Sequence, residues 1–176
     1  MNAVRHPPIV GSAVETRVWR SEADTLAFTQ RLAAQPALRN CFVQLHGDLG
    51  AGKTTFVRHL LHSLGVAGRI KSPTYTVVEP YEVPGLSIWH FDFYRFNDPR
   101  EWEDAGFRDT FASAGLKLAE WPEQAGAFLP QADLELHIEV LADGTRAVRA
   151  LALTPAGREV LGAAPPVPDS STRPLP

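Results

Sequence analysis

A single α/β domain with one central mixed sheet, helices on both of its faces and added antiparallel hairpins is the fold this 176-residue sequence predicts. Three observations carry that expectation. The short β-rich segment Cys41-Phe-Val-Gln-Leu-His46 runs into Gly47-Asp-Leu-Gly-Ala-Gly-Lys-Thr-Thr55. That loop is followed by Phe56, Val57, Leu60, Leu61 and Leu64 at helical spacing, which makes a strand, a Gly-rich loop and a helix in succession. Two further pairs of strand-like segments are each divided by turn residues, Pro84-Gly85 and Asp143-Gly144. An amphipathic helix precedes the first strand–loop–helix unit, with Leu26, Phe28, Leu32 and Ala33 on its apolar face.

Composition sets the outer limits. With 44% hydrophobic and 21% charged residues the chain has the make-up of a globular domain, and its length suits one domain with a substantial core. We expect a flexible arm over residues 1–14, the domain over 15–161, and a Pro-rich, disordered tail over 162–176. The longest apolar runs are too short to cross a bilayer and no secretory signal is visible, so no membrane role is expected. The single Cys41 excludes an intramolecular disulfide framework and fits a reducing cytoplasm. A net charge of −3 argues against a broad basic surface that would grip nucleic acid unaided, so any tRNA or other nucleic-acid role is expected to be indirect. Oligomeric state is not legible.

Taken in order, a strand is expected near Thr16–Trp19. Ser21 then reads as an N-cap, with Asp24 as a shorter relative of the capping-box acid, and helix one runs toward Pro36. The helix after the Gly-rich loop stops at Gly65. Arg69-Ile-Lys-Ser-Pro-Thr-Tyr-Thr-Val-Val78 reads as a loop entering a strand, because Pro73 prevents helix continuation. Val77–Tyr81 and Leu86–Tyr94 form the first hairpin. Asp98-Pro99 starts a short acidic helix that ends at Gly106, and Phe107–Phe111 makes another short turn. Leu116–Glu120 is a short strand, Ala132–Leu141 and Arg146–Leu153 make the second hairpin, and a short helix follows Thr154-Pro155.

The chemistry is concentrated in Gly47–Thr55, which fits G-x-x-x-x-G-K-[ST]. Consecutive backbone N–H groups in such a loop, at the positive end of a helix, can surround a polyphosphate, and glycine permits the turn at no steric cost. Gly47, Leu49, Gly50, Ala51, Gly52, Lys53, Thr54 and Thr55 are therefore the candidate nucleotide-binding residues. Lys53 is placed for the β- and γ-phosphates and Thr54 for a Mg²⁺ between them. The expected cofactors are ATP and Mg²⁺. In the loop that follows, Ser72, Thr74 and Thr76 are candidates for a hydroxyl that senses the γ-phosphate, Thr74 being placed among the binding residues; an ordinary turn is the alternative.

Two acids compete for the role of the Walker-B carboxylate. Asp92 shares a strand face with His90 and, among aromatics, needs a metal, a water or a cation; pairing with Arg95 or capping the next helix are its bland alternatives. Glu120 closes a strand, where ligands of open α/β sheets lie, and so could share a Mg²⁺ with Thr54. Lys53, Asp92 and Glu120 are the candidate catalytic residues, Thr54 and Glu120 the candidate metal ligands, and Trp121 sits beside them as a packing residue for the nucleotide or for the core. Glu22, Glu101 and Asp104 are weaker candidates for nucleotide contact. No zinc-ligand spacing is present, and His46, His59 and His62 read as surface residues.

Gly47–Thr55, Lys71-Ser-Pro-Thr-Tyr-Thr76, His90-Phe-Asp-Phe-Tyr-Arg95 and Glu120-Trp-Pro122 together resemble the TsaE (YjeE) family, over about residues 19–153. The resemblance implies a bacterial ATPase needed to make threonylcarbamoyladenosine in tRNA, beside the anticodon, working on the TsaD–TsaB complex. It implies that Leu49–Thr54 contact the phosphates, that Thr54 and Glu120 hold Mg²⁺, that Asp92 lies near the attacking water, and that Ser72–Thr76 form a switch loop. A small-molecule kinase, with Asp92 deprotonating a substrate hydroxyl, and a non-hydrolysing nucleotide-dependent adaptor are the alternatives. No Asn-Lys-x-Asp segment for guanine is found.

Overall fold

The computed structural model describes residues 13–73 and 75–162. The remainder of the expected arm, nearly all of the expected tail, and Thr74 lie outside them. The elements are β1 (Ala13–Trp19), α1 (Glu22–Ala33), β2 (Phe42–His46), α2 (Lys53–Ser63), β3 (Val78–Val83), β4 (Leu86–Asp92), α3 (Glu101–Asp104), α4 (Phe107–Ala112), β5 (Leu116–Glu120), β6 (Leu134–Val140), β7 (Arg146–Ala152) and α5 (Pro155–Leu161). Strand β1 takes in Ala13 and Val14, which the sequence assigns to the arm, because both pair with β7 in register, Ala13 against Ala152 and Val14 against Leu151. Strand β4 ends at Asp92 instead of Tyr94, since the Tyr94 N–H turns back onto the Asp92 carboxylate.

The seven strands form one sheet in the order β1-β7-β6-β2-β5-β4-β3. The four central strands, β6, β2, β5 and β4, are parallel, and antiparallel strands close both sides. Both expected hairpins are present, β3–β4 and β6–β7. The parallel centre explains why all five residues of β5 are buried, Lys117 and Glu120 included, since both of its faces are covered.

Alternation along the central strands distributes side chains to two cores. Val43, Leu45, Leu116, Leu118 and Ile88 meet α1, α2 and α5 through Phe28, Leu32, Phe56, Leu60, Leu61 and Val160. Phe42, Phe91 and Ala119 point the other way and meet Trp102 of α3 and Phe107 of α4. Trp19, Phe28 and Phe56 form a ring triad with centroids 5.5–6.3 Å apart, which ties β1 to both long helices. Such pairs add about 0.5–1.5 kcal/mol each beyond area burial.

Local signals set the helix starts. The Asp24 carboxylate accepts the Arg20 and Ser21 N–H groups at 2.7 and 3.2 Å. The Thr154 hydroxyl accepts the Gly157 N–H at 3.1 Å, satisfying one of the N-terminal donors of α5. The short acidic helix expected after Asp98-Pro99 is α3, which stops at Asp104, and Gly106, at φ 72°, separates it from α4, where the turn over Phe107–Phe111 is expected. No helix among the described residues is long and apolar enough to cross a membrane.

Candidate active site

The parallel strands bring their carboxyl ends to one edge of the sheet, so the loop after β2, the end of β4 and the end of β5 converge there. Asp92 and Glu120 are register partners across β4 and β5. A cavity of about 340 Å³ at this edge is lined by Leu49, Gly50, Gly52, Lys53, Thr54, Thr55, Ser72, Asp92, Tyr94, Glu120, Trp121 and Arg146.

Gly50 and Gly52 adopt φ 81° and 109°, in the left-handed region, and a Cβ at either would meet nothing within 4 Å. The space over the loop is therefore open to a bulky anion. Gly47 is constrained differently: at φ 152°, a Cβ would lie 2.5 Å from the Ile138 carbonyl oxygen, so only glycine lets the loop leave β2 beside β6. Ala51 is buried, and its N–H bonds the Asp48 carbonyl at 3.0 Å, which shapes the turn from below. The first N–H groups of α2, at Lys53, Thr54 and Thr55, open toward the loop without intrahelical acceptors.

Lys53 is buried and folded back on the loop: its ammonium donates to the Gly47 carbonyl and, at 3.0 Å, to that of Asp48. It also stands 4.1 Å from the centroid of the Trp121 ring. Burial lowers its pKa from the ordinary lysine value, against the pull of Glu120, Glu123, Asp92 and Asp48. Trp121 holds this position with a left-handed backbone, φ 55°. Among the described residues only Val77, φ 66°, also has positive φ without being glycine. A β-branched residue is a rare occupant of that region. Val77 anchors the end of the Ser72–Thr76 loop, donating to the Pro73 carbonyl at 2.7 Å and accepting the Asp92 N–H at 2.8 Å.

The two acids sit in different surroundings. Glu120 is 3% exposed and meets two donors: Oε1 and Oε2 lie 3.0 and 3.1 Å from the Thr54 hydroxyl, and the buried His90 imidazole lies 2.8 Å from Oε1. Asp92 is 6% exposed and, among the described residues, accepts the Tyr94 N–H at 2.9 Å. Burial pushes its pKa above the usual aspartate value, and Glu120 adds to the rise, while the Tyr94 N–H, His90 and Lys53 oppose it. A carboxylate sharing a hydroxyl is a pair of oxygen ligands for a hard cation, whereas a carboxyl of raised pKa is suited to accept a proton.

Other candidates fall elsewhere. Arg95 does not pair with Asp92; its guanidinium lies 4.7 Å from the Tyr75 ring centroid. Glu22 meets His59 at 2.7 Å, and Glu101 accepts the Asn97 and Asp98 N–H groups, so neither faces the cavity. Ser72 lines the cavity. The structure adds two residues that sequence reading leaves unassigned. His90 reaches Glu120, and the period of two along β4, which puts positions 90 and 92 on one face, was its only signal. Arg146, from β7, reaches the Ala51 carbonyl at 3.4 Å, with no local signal at all.

Sheet order, loop and convergent acids define a single-domain α/β protein with a Gly-rich loop between strand and helix at the carboxyl edge of its parallel strands. The family model described as "Threonylcarbamoyl adenosine biosynthesis protein TsaE" matches residues 19–148. The chain belongs to the TsaE family. It is 45% identical over 121 residues to the Haemophilus influenzae protein named tRNA threonylcarbamoyladenosine biosynthesis protein TsaE, covering 69% of this chain and 76% of that one. It is 36% identical over 118 residues to the Bacillus subtilis protein of the same name, covering 67% and 73%. The solved structure titled "Crystal structure of Bacillus subtilus YdiB" superposes with a TM-score of 0.70 at 26% identity, over 86% of this chain and 93% of that one.

Proposed function

We propose that the chain is a Mg²⁺-dependent ATPase required to form the threonylcarbamoyl group on adenosine of tRNA next to the anticodon, acting on the TsaD–TsaB complex and resetting it by ATP hydrolysis. The observation that carries this reading is the convergence of Thr54, Glu120 and Asp92 beside the loop, with the two acids paired in register. The tRNA pathway is supported by the family and by the names of the relatives.

In this reading the loop N–H groups and Lys53 bind the β- and γ-phosphates, and Lys53 exchanges its bonds to Gly47 and Asp48 for phosphate oxygens. Thr54 and Glu120 would hold Mg²⁺, which when bound neutralises charge on the β- and γ-phosphate oxygens. His90 fixes the Glu120 carboxylate from behind. Asp92 accepts the proton of the attacking water. Ser72, lining the cavity, connects the site to the loop ending at the strained Val77, so γ-phosphate occupancy biases the loop presented to the partner.

The test is phosphate release by the full chain with ATP and Mg²⁺, with and without the TsaD–TsaB complex. Slow release alone and faster release with the complex are expected. Release that the complex does not change would count against the partner-dependent reading, and phosphate transfer to an added metabolite would replace it with a kinase.

A related expectation concerns His90. His90→Leu keeps a buried apolar volume but leaves Glu120 without its rear partner. Loss of such a partner typically weakens metal affinity about 10- to 100-fold. The Mg²⁺ concentration for half-maximal turnover should rise by at least about tenfold, with the maximal rate largely regained at saturation. An unchanged Mg²⁺ requirement would show that His90 does not position Glu120.

A further inference from the structure

On the opposite side of the phosphate loop from Glu120, an open cavity of about 1230 Å³ runs across the face of β1, β7 and β6 and reaches the loop at Gly47–Gly50. On its wall, His46 at the end of β2 and His137 on β6 are register partners, and their rings stack with centroids 4.4 Å apart, 5° from parallel. Glu135 lies two residues before His137 on the same face of β6 and meets His137 Nε2 at 3.1 Å. One ligand atom from each of the three residues lies within 4.8 Å of the others, and all three are half-buried.

We propose that His46, Glu135 and His137 form a binding site for Zn²⁺ or a similar borderline divalent cation, separate from the Thr54–Glu120 pair. Two imidazoles and one carboxylate are the donor set for such an ion, with a fourth position left for water. Oxygen-seeking Mg²⁺ is disfavoured by the two nitrogens.

The surroundings fit the donor roles. His46 Nδ1 faces the Glu123 carboxylate at 3.6 Å, the outer carboxylate that metal-bound histidines commonly carry, and Nε2, 3.3 Å from Gln44 Oε1, is the nitrogen that would exchange that partner for the cation. Arg149 lies opposite His137 in register and is the counteracting cation; Glu123, Glu135 and Glu139 outweigh it locally. Tetrahedral ligation with metal–nitrogen bonds of about 2.0–2.1 Å needs ligand atoms about 3.3 Å apart. The rings must therefore tilt out of their stack, a turn that the broad second torsion of histidine permits.

Such an ion would tie β2 to β6 at the residue immediately before Gly47. Sequence reading finds no zinc spacing because the ligands come from strands far apart in the chain.

The test is titration of Zn²⁺ alone into the metal-free, nucleotide-free full chain without an affinity tag, followed by calorimetry. One equivalent is expected to bind, and the thermal midpoint should rise with it. Glu135→Gln and His137→Ala should each weaken binding at least tenfold, whereas His59→Ala, which removes the separate His59–Glu22 pair, should leave it unchanged. Bound Cu²⁺ should show two nitrogen ligands by electron paramagnetic resonance, a readout on the unaltered chain. Absence of stoichiometric binding, binding unaffected by both Glu135→Gln and His137→Ala, loss of binding in His59→Ala, or fewer than two nitrogens would each overturn the site.

Discussion

ATP turnover by the Asp92→Asn variant is expected to fall by about 100-fold or more, the usual contribution of a positioned general base, while Mg²⁺-dependent ATP binding changes little. The variant is chosen because an asparagine oxygen can still accept the Tyr94 N–H that Asp92 accepts at 2.9 Å, so the strand end keeps its turn. What it loses is the capacity to take a proton. Glu120→Gln should behave differently, raising the Mg²⁺ requirement for binding as well as lowering the rate, because Glu120 shares the Thr54 hydroxyl. Phosphate release and nucleotide affinity measured side by side separate the two acids. Asp92→Asn turning over at more than a tenth of the wild-type rate would remove Asp92 from the chemistry.

Protonation gives a second handle on the same residue. Burial and the neighbouring Glu120 raise the folded-state pKa of Asp92 above its unfolded value. The native state therefore binds more protons than the unfolded state in the window above the ordinary aspartate value of about 4, and stability declines as pH rises through that window. Asn at this position removes that cost, so Asp92→Asn should unfold at or above the wild-type midpoint at neutral pH. In the wild type, the acid limb of the rate profile should lie above the usual aspartate range. A destabilised Asp92→Asn protein would mean that the carboxylate is held for structure.

The second large effect is on stability. Gly157→Ala in α5 should destabilise the domain by about 3 kcal/mol, the upper part of the range for overpacking, and lower the thermal midpoint by about 6–12 °C for a chain of this size. Helix propensity alone argues the opposite, since alanine inside a helix is favoured over glycine by about 1 kcal/mol. The contacts decide the sign. A Cβ at position 157 would lie 1.9 Å from the Asp133 carbonyl oxygen and 2.8 Å from its carbon, both backbone atoms that cannot swing aside. Asp133 cannot retreat either: its carboxylate accepts the Phe42 N–H and the Thr154 hydroxyl, and its carbonyl accepts the Leu153 N–H. Thermal unfolding of the two proteins checks this, and a midpoint equal to or above wild type would show that α5 can lift from the sheet at little cost.

Most of the architecture was legible in the sequence where the signal is local. The Gly-rich loop between strand and helix, the Ser21 and Thr154 helix starts and the turns at Pro84-Gly85 and Asp143-Gly144 each depend on residues a few positions apart, and each is where it was expected. The beginning of β1 was read too late because Ala13 and Val14 carry no strand signal of their own; pairing with β7 makes them strand. The short helix after Asp98-Pro99 and the separate turn at Phe107 are two elements, as expected, because Gly106, at φ 72°, interrupts the helical backbone between them.

Sequence alone determined the Gly-rich loop between strand and helix, the mixed α/β class and the two candidate acids, because residue type and short-range periodicity carry that information. Only the tertiary structure decided that Glu120 meets Thr54 and His90 while Asp92 stands beside them accepting the Tyr94 N–H, and that His46 stacks on His137. These juxtapositions depend on strand order and register, with β5 on one side of β2 and β6 on the other. Order and register are fixed by packing between segments distant in the chain, which no local pattern of residues encodes.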